Sequence, residues 1–372
     1  MVEGMHLLRI LKVVRTMICI GVLLYLFGLW AAVLGMRFVG QGNVTTATLL
    51  FVPPLLLIGP GILLIPFSLI SGWRTAVLLC ASIGGYFFLH LDYQLNPGTA
   101  AAGSKVDFSL KIMTWNRGQS KGVSLQPLKN DWKPDFILLQ DAGGTERYYK
   151  GNKAYHEFPN TAGVGEFVLL SRWPIVSAES FAPSRKRSRS GAPVHRAARF
   201  VVAALGQRCV IYSVHLESPR DTLDSYKRGA FLWGILGFPG SPWEEKRLHY
   251  QPFWDEQLEV AGVISERVRT EFGPVIVAGD FNSPGFGPMH RLFSKQLSDA
   301  HQESGEGFGY TFPGVTNNPL SLMQPWLRLD QIFTSKHCKT VSCRAIPVNG
   351  QHLPVLSEFV WHNGPEPASP TP

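Results

Sequence analysis

The sequence predicts a layered α/β or α+β domain, in which helices cover β-sheets, preceded by a region of transmembrane helices. Two observations support this fold class. The first is the charge distribution, because the segment Phe38–Trp73 contains no Asp, Glu, Lys or Arg. The second is a series of short apolar runs beyond residue 106, separated by polar and helical stretches without the regular alternation of βαβ units. Such a mixture is typical of sheets faced by helices.

Apolar segments of membrane-spanning length occupy most of Met1–Asp92. A spanning helix needs about 20 apolar residues, and Met17–Met36 supplies them without a charged residue. Ala47–Ser71 is a second candidate, although four prolines interrupt it, and Thr75–Leu91 is a shorter third. A cleaved signal peptide would account for the first segment only. We therefore interpret residues 1–92 as a membrane anchor with about three transmembrane helices.

Basic residues flank the first span unequally. Arg9, Lys12 and Arg15 precede it, whereas only Arg37 follows it, and Arg74 lies between the second and third segments. Under the positive-inside rule the N-terminus is cytoplasmic, and three crossings leave the rest of the chain outside the cytoplasm. The sequence thus predicts a multi-pass protein of the cell membrane with an extracytoplasmic large domain. If the second segment re-enters the bilayer instead of crossing it, the large domain faces the cytoplasm.

Composition changes again after the third apolar segment. Asn96–Ser104 is small and polar, which is typical of a linker. We therefore place a linker at 93–105 and the large domain at 106–362. The proline-rich residues 363–372 are predicted to form a disordered tail. The net charge of +8 suits an anionic partner, whether a phosphate ester, a nucleic acid or a lipid head group.

Eight apolar runs of the large domain are predicted as strands. They are Phe108–Thr114, Phe136–Leu139, Gly165–Leu170, Phe200–Leu205, Val210–Val214, Val275–Ala278, Gln331–Thr334 and Val355–Val360. One helix is predicted at Trp254–Phe272, where apolar and charged residues alternate at helical spacing.

Polar residues follow several of these runs at the point where the strand ends. The clearest case is Pro274–Pro284, where an apolar run ends at Gly279 and is followed by Asp280 and Asn282. Positions i and i+2 of an extended chain point to the same side, so the carboxylate and the amide emerge together. An Asx turn would explain this pair taken alone.

The same arrangement recurs along the large domain. The polar strand-end positions are Asn116, Asp141, His215, Asp280, Asn282 and Asp330, with His352 just before the last strand. Each has an ordinary explanation by itself: His215 as a satisfied strand-end histidine, or Asp330 as a buried acceptor. Taken together they predict one site at one edge of the sheets, where α/β folds place their chemistry.

The order of these motifs resembles that of the endonuclease/exonuclease/phosphatase superfamily, which includes DNase I-like nucleases, inositol polyphosphate phosphatases and bacterial sphingomyelinases. The resemblance covers about Lys111–Val360 and includes Gly165–Ile175, which is similar to the family strand G-x-x-h-L-S-R-x-P-I. It implies a four-layer sandwich of two β-sheets flanked by helices. It also implies a metal-dependent hydrolase that acts on phosphate ester bonds.

By this resemblance Asn116 and Asp141 belong to the metal site, and the cofactor is Mg²⁺ or Mn²⁺. Mg²⁺ binds hard oxygen ligands and keeps several waters, which suits phosphate hydrolysis. Two positions depart from the family pattern, because Asp141 stands where the family has a glutamate and Gln351 where it has an aspartate. Glu146 is a candidate substitute ligand, although a solvated loop residue is the simpler interpretation.

The resemblance also implies the catalytic residues. Asp280 would orient or deprotonate the attacking water, and Asn282 would hydrogen-bond the phosphate. His215 and His352 would flank the phosphate and stabilise charge on its oxygens. Asp330 would hold His352 in its tautomer, since a carboxylate beside an imidazole favours the protonated ring.

The substrate is predicted from weaker signals. Six basic residues within Ser184–Arg199 could follow a nucleic-acid backbone or lie against anionic lipid, and a solvated loop is the plain alternative. The apolar stretch Phe231–Trp243 could enter membrane lipid, cover a substrate or belong to the core. The first expectation is a membrane-tethered phosphoesterase that hydrolyses phosphodiester bonds of nucleic acid. The alternatives are a phospholipid or phosphorylated small-molecule phosphodiesterase or phosphatase, and a non-catalytic binding relative that has lost its metal.

Overall fold

A sandwich of two β-sheets covered by helices follows an N-terminal region of apolar helices. The computed structural model describes residues 2–96, 109–118, 122–188, 190–219, 233–234, 236–315 and 324–361. Within these residues the architecture is the four-layer sandwich that the sequence predicts, so the predicted fold class is confirmed. The predicted tail and most of the predicted linker lie outside the described residues.

The N-terminal helices are α1 (Val2–Leu34), α2 (Val44–Leu49), α3 (Pro54–Ser71) and α4 (Trp73–Gly85). α1, α3 and α4 pack on one another, whereas α2 lies against the sandwich. α3 begins at a proline because the first turn of a helix does not need the missing N–H. The predicted segment Ala47–Ser71 is therefore divided: its first residues belong to α2, and α3 is the continuous apolar helix.

Two helical stretches are long and apolar enough to cross a membrane, Leu8–Gly42 and Pro54–Ser71. Many of their large side chains point outward; Phe27 and Leu63, for example, are 75% and 72% exposed. A contiguous apolar surface of this kind is unfavourable in water and favourable in lipid. Membrane association of these helices stays a prediction. The third predicted segment, Thr75–Leu91, forms the shorter α4 and a π-helical turn.

Fourteen strands lie within the described residues. In chain order they are β1 (Gln94–Leu95), β2 (Ser109–Asn116), β3 (Phe136–Gln140), β4 (Asn160–Val164), β5 (Phe167–Ser171), β6 (Ile175–Arg187), β7 (Pro193–Ala204), β8 (Gln207–His215), β9 (Val275–Asp280), β10 (Ser298–Asp299), β11 (Glu306–Gly307), β12 (Asp330–Thr334), β13 (Cys338–Ala345) and β14 (Val355–Trp361). One sheet has the order β10-β12-β9-β8-β7-β6 and the other β13-β14-β2-β3-β5-β4, while β1 pairs with β11.

Six further α-helices lie within the described part of the sandwich domain. They are α5 (Gln126–Trp132), α6 (Glu146–Tyr149), α7 (Glu244–Leu248), α8 (Gln251–Arg269), α9 (Pro288–Ser294) and α10 (Ala300–Ser304). α8 and α9 pack on the first sheet, and α5 packs on the second. Alternate residues along the strands fill the space between the sheets, where Ile112 and Phe136 meet Phe200, Ile211 and Ile276. The amphipathic pattern that predicts a helix at 254–272 corresponds to α8.

The largest difference from the sequence prediction is the hairpin of β6 and β7. β6 is not predicted from the sequence. The predicted strand that corresponds to β7 begins at Phe200, seven residues after the observed start at Pro193. β6 lies at the edge of its sheet and is mostly exposed, so its sequence carries little apolar periodicity. The described basic residues of Ser184–Arg199 consequently belong largely to strands and not to a loop.

The helical region and the sandwich are in direct contact. Phe51 stacks on Trp254 of α8 with ring centroids 5.8 Å apart, and Val44 packs against the same indole. At the other end of the helical region, Asp92 Oδ2 lies 3.5 Å from Arg328 Nη2. The predicted domain boundaries stay predictions, and the contacts show that the two parts share buried surface.

Arg328 lies at the centre of a buried ionic network at this junction. Its Nη1 is 2.9 and 2.8 Å from the two carboxylate oxygens of Asp299, and His290 Nε2 is 2.8 Å from the same carboxylate. Burial raises the pKa of Asp299, but Arg328 and His290 outweigh it and hold the pKa well below its ordinary range.

Replacing Arg328 with methionine should therefore destabilise the protein by about 3–5 kcal/mol, because it leaves a buried carboxylate without its cation. Urea unfolding at neutral pH measures this loss. A group with a depressed pKa stabilises the fold above its unfolded pKa, so the difference from wild type should shrink as pH falls below about 4. The control is Arg269→Met, which removes an exposed ion pair with Glu266 and should have little effect.

Candidate active site

Three adjacent strands bring three of the predicted residues into one row. His215 of β8 is paired in register with Asp280 of β9, and Asp280 is paired with Asp330 of β12. The close spacing of β8 and β9 requires a glycine at position 279, because its φ is +146° and a Cβ there would lie 2.0 Å from the carbonyl oxygen of Val214. The polar ends of these strands therefore meet, as the sequence predicts.

Asn116 reaches this row from the opposite sheet. It ends β2, paired in register with Gln140 of β3, and its Nδ2 donates to Asp280 Oδ2 over 2.7 Å. The same Nδ2 lies 3.3 Å from His215 Nε2. Gln140 ties the two sheets together just below, because its Nε2 donates to Ser213 Oγ of β8 over 2.9 Å. The site is thus assembled across the interface between the sheets.

Asp280 is fully buried and is held by several donors. Its Oδ1 accepts the backbone N–H of Asn282 at 2.8 Å, and its Oδ2 accepts Asn282 Nδ2 at 3.2 Å. Asn282 also donates to the carbonyl oxygen of Leu216 at 2.8 Å, so its amide nitrogen is engaged within the protein. Asp280 Oδ2 lies 3.8 Å from His215 Nε2 and 3.7 Å from His352 Nε2. One carboxylate therefore faces two imidazoles.

His352 and Asp330 form a buried pair. His352 Nδ1 is 2.9 Å from Asp330 Oδ2, and Trp115 Nε1 donates to the carbonyl oxygen of His352 over 3.0 Å. Thr311 Oγ1 accepts the backbone N–H of Asp330 at 3.1 Å. Burial raises the pKa of Asp330 and the Asp280 carboxylate adds to this, against the opposing effect of His352. The contact predicted between Asp330 and His352 is present.

The other imidazole has its own carboxylate partner, which the sequence analysis does not predict. His215 Nδ1 lies 3.1 Å from Glu166 Oε1. Burial lowers the pKa of His215, but the carboxylates of Glu166 and Asp280 outweigh this effect, so the pKa lies above its ordinary value. Glu166 stands inside the motif Gly165–Ile175, yet its position beside β8 depends on how the two sheets pack.

Replacing Glu166 with glutamine should lower the pKa of His215, because the variant keeps the shape of the side chain and removes its charge. The raised pKa keeps His215 protonated to higher pH in the wild type. If protonated His215 supports turnover, the alkaline limb of the kcat/KM profile should move to lower pH in the variant. Glu179→Gln, at a half-exposed carboxylate away from the site, is the control. An alkaline limb that does not move would contradict this role.

Three side-chain oxygens converge beside Gly118. A Cβ placed on this glycine would lie 3.2 Å from Asn116 Oδ1, 3.8 Å from Asp141 Oδ2 and 3.8 Å from Gln351 Oε1. Two amide oxygens and one carboxylate oxygen are hard ligands of the kind that Mg²⁺ and Mn²⁺ accept. These oxygens are of the type that a divalent cation accepts, and Asp141 supplies the one formal negative charge of the three. Asn116 Oδ1 also accepts the backbone N–H of Gly118 at 3.0 Å.

Another group of described residues meets the spacing of metal ligands. One ligand atom each from Asp280, Asp330 and His352 lies within 4.8 Å of the others. His352 Nδ1 is bonded to Asp330, an arrangement that is common for histidines that bind metal through Nε2, and Asp280 and Asp330 offer the oxygen atoms that Mg²⁺ prefers. The alternative ligand Glu146 lies elsewhere: its Oε2 would be 2.8 Å from a Cβ on Gly163 of β4.

A family model decides the identification. The model of the endonuclease/exonuclease/phosphatase family matches residues 124–360, which is more than half of the chain. The chain belongs to the endonuclease/exonuclease/phosphatase family. Members of this family are typically phosphoester hydrolases that depend on divalent metal ions. A comparison with curated proteins gives no match.

Several solved structures are similar to the chain at low sequence identity. An endonuclease/exonuclease/phosphatase family protein from Bacteroides thetaiotaomicron is 15% identical and covers 68% of this chain and 98% of its own, with a TM-score of 0.46. A mannosyl-6-phosphatase from the same species is 14% identical, with coverages of 68% and 100% and a TM-score of 0.44. A humanised TDP2 from D. rerio is 16% identical, with coverages of 68% and 98% and a TM-score of 0.43.

Proposed function

We propose that the chain is a membrane-tethered, metal-dependent phosphoesterase that hydrolyses phosphodiester bonds. The observation that carries the proposal is the arrangement around Asp280. Its carboxylate faces His215 and His352, and each imidazole is backed by a separate carboxylate, Glu166 or Asp330. A general base between two imidazoles that can carry positive charge is suited to an anionic ester that gains charge in its transition state.

We propose a role for each side chain of the site from its contacts. Asn116 and Asn282 donate to Asp280 and fix its orientation toward an attacking water. His352 donates Nδ1–H to Asp330, which leaves Nε2 to face the phosphate. His215, with its raised pKa, places positive charge on the other side. Electrostatic stabilisation of this type is usually the largest contribution to catalysis.

The metal would be held by Asp141, Asn116 Oδ1 and Gln351 Oε1. When bound, the ion would polarise a phosphoryl oxygen and neutralise part of its charge. A single charged ligand favours weak binding, in which waters complete the coordination shell. Gln351, which stands where the family has an aspartate, also supports the alternative of a binding protein without activity.

The ion pairs of the β6–β7 hairpin bear on the choice between nucleic acid and phospholipid as the substrate. Arg196 Nη2 lies 2.5 Å from Glu217 Oε2, and Arg199 Nε lies 2.6 Å from Glu271 Oε1. Charges balanced within the protein attract a nucleic-acid backbone less than free ones do. We therefore propose that nucleic acid, the first expectation from Ser184–Arg199, ranks behind an ester held at a membrane surface, such as a phospholipid.

We propose that the N-terminal helices cross the membrane three times, on the basis of how they pack on one another. Arg15 Nε, in the first half of α1, donates to the carbonyl oxygen of Ile70 at the end of α3 over 2.9 Å. At the other end Met36 and Tyr86 share an apolar cluster with Phe286 of the sandwich. The basic N-terminal end thus lies away from the sandwich. Under the positive-inside rule this supports an extracytoplasmic catalytic domain in a multi-pass protein.

Assays with two substrates test the proposal that a phospholipid is preferred to nucleic acid. The whole chain, reconstituted in lipid nanodiscs, would be assayed with a phospholipid and with single-stranded DNA over a range of salt concentrations. Lipid cleavage should fall in Phe238→Ser, which alters an exposed apolar side chain of the insertion after β8, and should depend little on salt. DNA cleavage that falls steeply with salt and in Lys186→Ser would reverse the ranking.

A further inference from the structure

The segment between α1 and α3, residues 36–52, is built into the sandwich. Gln251 of α8 binds it twice: its Oε1 accepts the backbone N–H of Val44 at 3.1 Å, and its Nε2 donates to the carbonyl oxygen of Gly42 at 3.3 Å. Arg291 of α9 donates to the carbonyl oxygens of Arg37 and Phe38. The connection between the first two apolar helices is thus held by specific hydrogen bonds.

Gln41 of this segment contacts the stretch that follows Asp280, residues 281–287, which we call the catalytic loop. It is fully buried, and its Nε2 donates to Ser283 Oγ over 2.8 Å. Ser283 is itself buried and directly follows Asn282. The backbones approach closely nearby, because a Cβ on Gly287 would lie 3.2 Å from the carbonyl oxygen of Met36. A buried polar contact of this kind fixes the position of both partners.

Ser283 is held from a second side by the strand that carries Asp330. Gln331, the next residue of β12, donates its Nε2 to the carbonyl oxygen of Ser283 over 2.8 Å. Phe281 adds a backbone bond from its N–H to the carbonyl oxygen of Leu329 at 2.9 Å. The chain that follows Asp280 therefore lies between β12 on one side and Gln41 on the other.

We infer that Gln41 is a positioning residue for the reaction and that the membrane anchor completes the catalytic domain. Gln41 fixes Ser283, and through it Asn282, one residue earlier, and Asp280, three residues earlier, relative to β12. The inference rests on the proposed function for its effect on turnover, but its effect on the loop does not depend on activity. Side chains that support catalytic groups from behind change activity by about 10- to 100-fold when removed.

Gln41→Ala and Gln251→Ala form a matched pair in the whole chain. Gln41 belongs to the segment 36–52, and Gln251 binds that segment. Of the two, only Gln41 contacts the catalytic loop. We expect Gln41→Ala to lower kcat about 10-fold or more with KM nearly unchanged, and Gln251→Ala to leave kcat close to wild type. Ser283→Ala should lower kcat similarly, and the double variant Gln41→Ala/Ser283→Ala should lose no more than either single one.

Hydrogen–deuterium exchange over residues 279–287 provides a readout that does not require turnover. Amides of this stretch should exchange faster in Gln41→Ala than in wild type. Their exchange rates should be unchanged in Gln251→Ala. The inference would be overturned if residues 279–287 exchanged equally fast in both variants. It would also be overturned if the wild type were active and Gln41→Ala had the same kcat. If the wild type has no turnover while exchange rises only in Gln41→Ala, the positioning contact stands and the proposed function fails.

Discussion

Replacing Asp280 with asparagine should lower kcat by about 10²- to 10⁴-fold, the range expected for loss of a general base. The variant keeps the size of the side chain, but its amide nitrogen replaces an oxygen that accepts from Asn116 or Asn282, so folding is measured separately. It cannot take a proton from water, and it presents no charge to the two imidazoles. Steady-state hydrolysis of a phosphodiester in saturating metal measures the effect.

A matched control is Asp131→Asn, which changes an exposed carboxylate at the end of α5. Wild-type turnover in this control would show that the loss at position 280 is local. Thermal unfolding of both variants separates a folding defect from a catalytic one. An Asp280→Asn protein that is folded and retains more than a tenth of wild-type kcat would exclude Asp280 as the base.

The second large effect is expected from His352→Ala, again about 10²- to 10⁴-fold in kcat. The imidazole lies 3.7 Å from Asp280 and is buried with Asp330, so its removal takes away the group that faces the phosphate and leaves Asp330 without its partner. His156→Ala is the control, because that side chain is 83% exposed. A double variant with Asp330→Asn should lose little more than His352→Ala alone, since the two residues act as one unit.

Additive losses in that double variant would show that Asp330 acts independently of His352. Such a result would contradict the tautomer role assigned to Asp330. The comparison is informative because both residues are buried and joined directly by the bond between Nδ1 and Oδ2.

Much of the site could be predicted from the sequence because its residues stand at the ends of apolar strands. Asp280 and Asn282 follow a fully buried strand, and the parallel register of β8 and β9 then sets His215 beside Asp280. The residues at neighbouring strand ends can be predicted to meet without knowing how distant parts of the chain pack. For Asn282 the structure adds bonds to Leu216 and Asp280, and a contact with phosphate stays a prediction.

Other features depend on contacts that local sequence does not record. Glu166 becomes the partner of His215 only because β5 and β8, in different sheets, are brought together by the packing of the two sheets. Gln41 is 242 residues from Ser283 and stands in an apolar region, where composition predicts only an anchor. β6 has too little apolar periodicity for prediction, because an edge strand buries few of its side chains.

Whether the chain is a metal-dependent phosphodiesterase is decided by one assay of the whole protein. The purified protein in nanodiscs would be stripped with chelator and assayed on bis(p-nitrophenyl) phosphate with Mg²⁺, with Mn²⁺ and without metal, beside Asp280→Asn. We predict turnover that is absent in chelator, returns with either metal and is lost in the variant. No turnover with either metal, from protein shown to be folded, would contradict the claim and leave a binding role for the site.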